Sequence, residues 1–221
     1  MDKSADGSIS TLASAAHSRV RQEIISGVIP PGSRIHIREL CARMGIGLSP
    51  MREALNRLSA QGLVVQSDQR GFKAAPLDLE DLADLTQARA TLNAAALRDA
   101  IAHGDTAWEE RVVLAHHRLA RTPRANGGVD PEWEQRHRAF HATLLSACRS
   151  GRLRRYCEQL FDASERYRIV SRVAASEKRD VDGEHEAIMK ATLARNADLA
   201  VGLLDAHVGL TESLVREALA R

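Results

Sequence analysis

Apolar residues recur at helical spacing through most of the chain. Leu12, Val20, Ile24 and Ile25 keep to one face until Gly27 and the Pro30-Pro31-Gly32 breaker. Ile37 to Met44 forms a second short helix, stopped by Gly45, and after Ile46-Gly47-Leu48 the pair Ser49-Pro50 opens a third, because serine at the N-cap and proline at the first helical position are start signals. The period then changes. Leu63-Val64-Val65, the polar run Gln66 to Gly71, and Phe72-Lys73-Ala74-Ala75 predict a small hairpin. Helix, helix, tight turn, helix, hairpin is the order of a winged helix-turn-helix. Beyond Pro76 strand signals vanish, and six amphipathic helices are predicted at about 79–103, 106–121, 131–149, 152–175, 178–194 and 197–219. The expected fold is mainly α: an N-terminal winged helix-turn-helix over residues 1–76 and a C-terminal all-helical bundle over 77–221.

Composition supports this division. The 221 residues suffice for two small domains or one large one, and 44% hydrophobic with 27% charged residues is a globular balance. With 3% aromatic residues an all-β fold is disfavoured. No apolar run approaches the ~20 residues of a membrane span, and the start MDKSADGSIS has no signal-peptide core, so a cytoplasmic protein with no membrane partner is expected. Cys41, Cys148 and Cys157 form no CxxC pair and read as small apolar residues. The net charge of +2 is unevenly spread: residues 1–76 carry ten Lys and Arg against six Asp and Glu. That excess is too small to prove nucleic-acid binding, so pattern has to decide.

A recognition helix presents its first turn to base edges while cations hold the phosphates. Ser49 and Arg52 stand at that first turn, Arg38 opens the preceding helix, and Arg70-Gly71 falls at the hairpin tip, where glycine allows close backbone approach. Any one arginine alone would be an ordinary solvated side chain. Five features in register point to double-stranded DNA.

In the bundle, His137 and His141 are four apart and share a face with Leu144, while His185 aligns with Met189, and His207 with Leu204 and Thr211. Four inward histidines on three helices either converge on a divalent metal, zinc suiting imidazole, or are four separately bonded core residues. Arg89 and Arg168 also lie on apolar stripes, whereas Arg166 points away. A buried arginine needs an anion, either an internal carboxylate or a bound organic acid, and the nearby helices offer few inward Asp or Glu.

The segments IISGVIPPG, IRELCARMGI, SPMREALNRLSAQGLV and RGFKAAP resemble the N-terminal signature of the GntR family of bacterial transcriptional regulators, and residues 79–215 resemble the FCD ligand-binding domain of its FadR branch. The resemblance implies a homodimeric regulator, expected to be a repressor, that binds a pseudo-palindromic operator and releases it when a small carboxylate binds. Metal-bearing members carry Asp-x3-His and two later histidines, positions that His141, His185 and His207 match. Three departures stand out: Leu48 where the family commonly has a base-reading arginine, His137 where aspartate is typical, and Asn93 where glutamate is frequent. The resemblance implies a metal at His141, His185 and His207, with His137 giving a four-histidine site or standing outside a three-histidine one, and the stripe positions of Arg89 and Arg168 place them toward the effector. EWEQRHRAFHATLLSAC, CEQLFDASERYR and RDVDGEHEAI are similar to members that answer to a dicarboxylate such as glutarate. The competing reading is a metal-dependent enzyme built on the histidines. It lacks HExxH, GxSxG and any Gly-rich phosphate loop.

Overall fold

In the computed structural model, which describes the backbone of residues 4–67, 71–123, 130–174 and 179–220, the chain forms two units, Met1–Asp78 and Leu79–Arg221. The first holds α1 (Ser4–Ile25), β1 (Arg34–Ile35), α2 (Ile37–Met44), α3 (Leu48–Ala60), β2 (Val64–Ser67) and β3 (Gly71–Ala74). Their shared core contains Val20, Leu40, Met51, Leu55, Leu58 and Phe72. The face that α1 buries is Ala13, Ala16, Val20 and Ile24 rather than the one through Leu12, which is exposed. Alanine carries little hydrophobic signal, but its small size allows close helix packing.

Two further corrections concern the helix-turn-helix and the sheet. Gly47, not Ser49, caps α3; its carbonyl accepts from the Met51 N–H at 3.2 Å, so Ser49 and Pro50 are the second and third helical residues. Proline costs nothing there because first-turn N–H groups have no intrahelical partner. The hairpin also gains a third strand: β1 pairs with β3 through Arg34↔Lys73 and Ile35↔Phe72, giving the antiparallel order β1-β3-β2. Between α2 and α3, Gly45 takes the left-handed conformation (φ 67°) that closes a helix, which is where glycine is required.

The second unit contains α4 (Leu79–His103), α5 (Thr106–Ala120), α6 (Pro131–Leu144), α7 (Gly151–Ala163), α8 (Glu165–Ala174), α9 (Val181–Leu193) and α10 (Ala197–Leu219). Side chains of Asp105, Asp130, Ser150, Asp180 and Asn196 accept first-turn N–H groups of the helices they precede. Leu97, Trp108, Phe140, Leu144, Ile188 and Leu204 are part of the core. The helix expected over 152–175 is two helices. At the break, Ser164 Oγ and Arg168 Nη1 both donate to the Phe161 carbonyl, at 2.8 and 2.6 Å, and side-chain donors there compete with the backbone ladder. The helix expected to reach residue 149 ends at Leu144, where the Thr143 carbonyl accepts from Trp108 Nε1 and Ser146 Oγ.

Candidate functional site

On α3 the buried side is Pro50, Met51, Ala54, Leu55 and Leu58, which occupies one arc at 100° per residue. Leu48, Ser49, Arg52 and Asn56 fall together on the opposite arc, and all are exposed. Arg38 is exposed at the start of α2. Gly71, with φ of 92°, begins β3 and is followed by the exposed Lys73. Arg70 lies outside the described residues. The serine and arginine expected at base edges are thus presented, and Asn56 shares their face without having been singled out by residue type.

The four histidines come together. His137 and His141 from α6, His185 from α9 and His207 from α10 are all buried, and one ring nitrogen of each lies within 4.8 Å of the others. Edges of a tetrahedron built on Zn–N bonds of about 2.0–2.1 Å measure about 3.4 Å, so the spread is of the right order for one ion. Among the described residues His137 Nδ1 and both nitrogens of His185 have no hydrogen-bond partner, an expensive state for buried imidazoles and one that a metal would relieve. Burial is the main reason the rings stay neutral, the form in which imidazole ligates: it takes His137 and His141 well below the usual range and His185 to about 2, and the crowding of rings that cannot share more than one charge, with Arg89 and Arg168 beside His137 and His141, adds to the effect.

Support comes from residues next to the cluster. Glu184 Oε2 accepts the His207 Nδ1–H at 2.6 Å, which leaves Nε2 for the centre. Arg179 holds that carboxylate in two places, Nε to Oε1 at 2.8 Å and Nη2 to Oε2 at 2.7 Å, and also donates to Thr211 Oγ1 and the His207 carbonyl. Burial alone would raise the Glu184 carboxyl, but hydrogen bonds from Arg179 and His207 outweigh it and hold the group down at about 2. Glu184 is therefore placed to orient His207 and is not one of the four groups that face the centre.

Two cavities of about 30 Å³ flank the cluster, and they separate the two arginines. His141, Arg89, Asn93, Arg138 and Phe161 line one; His137, His207, Arg168, Arg179 and Glu134 line the other. Arg168 is occupied: Nη1 donates to Ser164 Oγ at 2.6 Å as well as to the Phe161 carbonyl, and Nη2 lies 3.4 Å from Glu134 Oε2. The expectation of few inward acids is corrected by Glu134 and Glu165, both buried. Arg138, likewise, is paired with Asp162. Arg89 differs. It is 5% exposed and has no hydrogen bond or ion pair among the described residues, and its guanidinium sits 5.5 Å from the Phe161 ring centre. Burial, followed by the charge of Arg168, lowers it to about 9, so it remains cationic at neutral pH.

Two family models match the chain, one described as bacterial regulatory proteins of the gntR family over residues 12–73 and one as the FCD domain over 84–210. The chain belongs to the GntR family of bacterial regulators and carries an FCD domain. As a GntR regulator it is 37% identical to the uncharacterized HTH-type transcriptional regulator BphR of Paraburkholderia xenovorans, over 95% of this chain and 87% of that one. It is also 30% identical to the HTH-type transcriptional repressor GlaR of Escherichia coli, over 91% and 94% respectively. Among solved structures, E. coli McbR/YncC shares the fold with a TM-score of 0.73 at 17% identity, covering 93% of this chain and 97% of that one. BphR and GlaR are named transcriptional regulators, and the enzyme reading finds no support among them. A GntR helix-turn-helix binds operator DNA, and an FCD domain takes a small-molecule effector. Among the described residues, no helix is long and apolar enough to cross a membrane.

Proposed function

We propose that this regulator is a homodimeric cytoplasmic repressor whose operator affinity is set by a small carboxylate bound beside a zinc ion in the FCD domain. The observation that carries the reading is Arg89: a buried cation without a counter-charge among the described residues, in the same cavity as His141. An unpaired charge in an apolar interior is costly, and an anion from solution removes the cost. His137, His141, His185 and His207 would hold the ion, which supplies a Lewis-acidic position for a carboxylate oxygen. Arg89 fixes a carboxylate by charge-assisted hydrogen bonds, and Asn93 beside it offers an amide donor and acceptor. Four neutral histidines contribute no negative charge, so a dianion such as glutarate matches the site better than a monoacid. Arg168, already paired with Glu134, serves as structural support for the opposite wall. On the DNA side, Arg38, Ser49, Arg52, Arg70 and Gly71 form the contact surface for a pseudo-palindromic operator.

The effector shifts the regulator only by binding its two arrangements unequally, and a hundredfold loss of operator affinity needs about 3 kcal/mol of difference. Calorimetric titration of glutarate into zinc-loaded protein, alongside an operator gel shift, tests the reading. Heat of binding and operator release are expected for the wild type, with both abolished in Arg89→Met. Equal binding by the two proteins would remove Arg89 from the site.

A further inference from the structure

We propose that Leu48 is a base-reading residue that packs on the 5-methyl group of a thymine in the operator. The inference uses only the DNA-binding unit and is independent of the metal and effector reading. Leu48 is the first residue of α3 and keeps 49% of its surface exposed, although the same helix buries Met51, Leu55 and Leu58 completely. At 100° per residue, Arg52 lies about 40° from Leu48, Asn56 about 80° and Ser49 about 100°, so the leucine sits at one edge of the polar reading face and in its first turn. Single exposed apolar residues elsewhere on a protein need no explanation. This one occupies the part of a recognition helix that enters the major groove.

Chemistry then narrows what it meets there. Leucine neither donates nor accepts a hydrogen bond. Placed against guanine O6 and N7, adenine N7 and N6, or cytosine N4, it would strip water from polar atoms and give nothing back. Thymine alone presents an apolar group in the major groove, its C5-methyl, and burying methyl against isobutyl releases water from both. Arg52 and Asn56, one and two turns further along the same face, carry the hydrogen-bonding capacity for neighbouring base pairs.

The test has two arms. Full-length wild type and Leu48→Ala each select binding sites from a pool of random duplexes; the wild type is expected to require a thymine at one position that Leu48→Ala leaves unspecified. The thymine is then replaced by deoxyuridine, which keeps every hydrogen-bonding atom and deletes only the methyl. Wild-type affinity should fall about fourfold for each such contact, the equivalent of one buried methyl, while Leu48→Ala should not distinguish the two bases. Identical selected sites for the two proteins, or wild-type binding to deoxyuridine as tight as to thymine, would overturn the proposal. The deoxyuridine arm needs only the wild type, so a folding defect in the variant does not spoil it.

Discussion

The two units handle polar groups in opposite ways. All thirteen buried polar or charged residues among those described lie between Arg89 and Thr211, and none belongs to Met1–Asp78. The N-terminal unit has an uncharged core and holds Arg38 and Arg52 in water, where both are exposed. The FCD unit takes two arginines, two glutamates and four histidines inside. A surface that meets phosphates and bases loses nothing by keeping its cations hydrated until contact. A site for one small acid, as proposed for the FCD unit, would gain from cations already stripped of water, at the cost of stability in the unliganded molecule.

That contrast is most exposed by acid. Unfolded histidines titrate near 6.5, but the four in the cluster are held lower by burial, so the unfolded chain takes up protons that the folded one refuses. Their contribution to stability is complete above about pH 6.5 and is lost as pH falls, at up to about 1.4 kcal/mol per pH unit for each histidine. Urea titrations of chelator-treated protein at pH 7.5 and 5.5 should therefore show a large fall in midpoint, and a flat response would mean that the rings are not buried neutral in solution. The two arginines should then part company. Arg168→Met removes the charged hydrogen bonds to Ser164 and the Phe161 carbonyl and the cation near Glu134, and is expected to destabilise by about 1.5–3 kcal/mol, whereas Arg89→Met removes a charge that has no partner among the described residues and should leave the unliganded protein equally or more stable. Denaturant midpoints of the pair decide whether the division into a structural and a ligand-facing arginine is right.

Smaller effects sharpen the comparison from each side. Glu184→Ala should weaken zinc binding about 10- to 100-fold, the usual cost of losing a carboxylate behind a histidine ligand, as measured by competition with a chromophoric chelator. In the other unit, Arg52→Ala should cost about 1–3 kcal/mol of operator affinity with helical content and thermal midpoint unchanged, since the side chain is exposed. A shifted midpoint there would show that Arg52 has a structural role.

Legibility followed the physics of each signal. The helix faces bearing His137, His141, His185 and His207 could be read from spacing because periodicity reports burial directly, and all four are buried. The break at Ser164 was not readable: neither glycine nor proline marks it, and the donors that interrupt the ladder include Arg168, four residues later. Strand β1 is two residues long, too short for any alternation to register. Glu134 and Glu184 were missed as partners because a carboxylate one turn from a histidine, or adjacent to it, looks solvated until a second helix brings an arginine or imidazole against it. Arg179 was invisible for the same reason, since its partners lie on α9 and α10. Pairing across elements is a tertiary fact. That Arg89 has no partner among the described residues is likewise a fact of the packed bundle and not of its own helix.

The histidine cluster draws on α6, α9 and α10, so an ion held there is also a removable cross-link. Tying His141 to His207 closes a loop of roughly 65 residues, and in the chain-entropy picture of cross-linking this restriction of the unfolded chain is equivalent to about 4 kcal/mol. Unlike a disulfide, it needs no oxidant and reverses with metal supply. The segment enclosed contains α7 and α8, with Phe161 between the two flanking arginines. Chain topology thus places Cys157 and Phe161, on one wall of the cavity proposed for the acid, inside the loop that a metal would close, while Arg89 and Asn93 on the facing helix lie outside it. Loss of a metal held there would therefore lower the stability of the whole FCD unit, because the restriction that it lifts acts on the unfolded chain and the loop spans α7, α8 and α9.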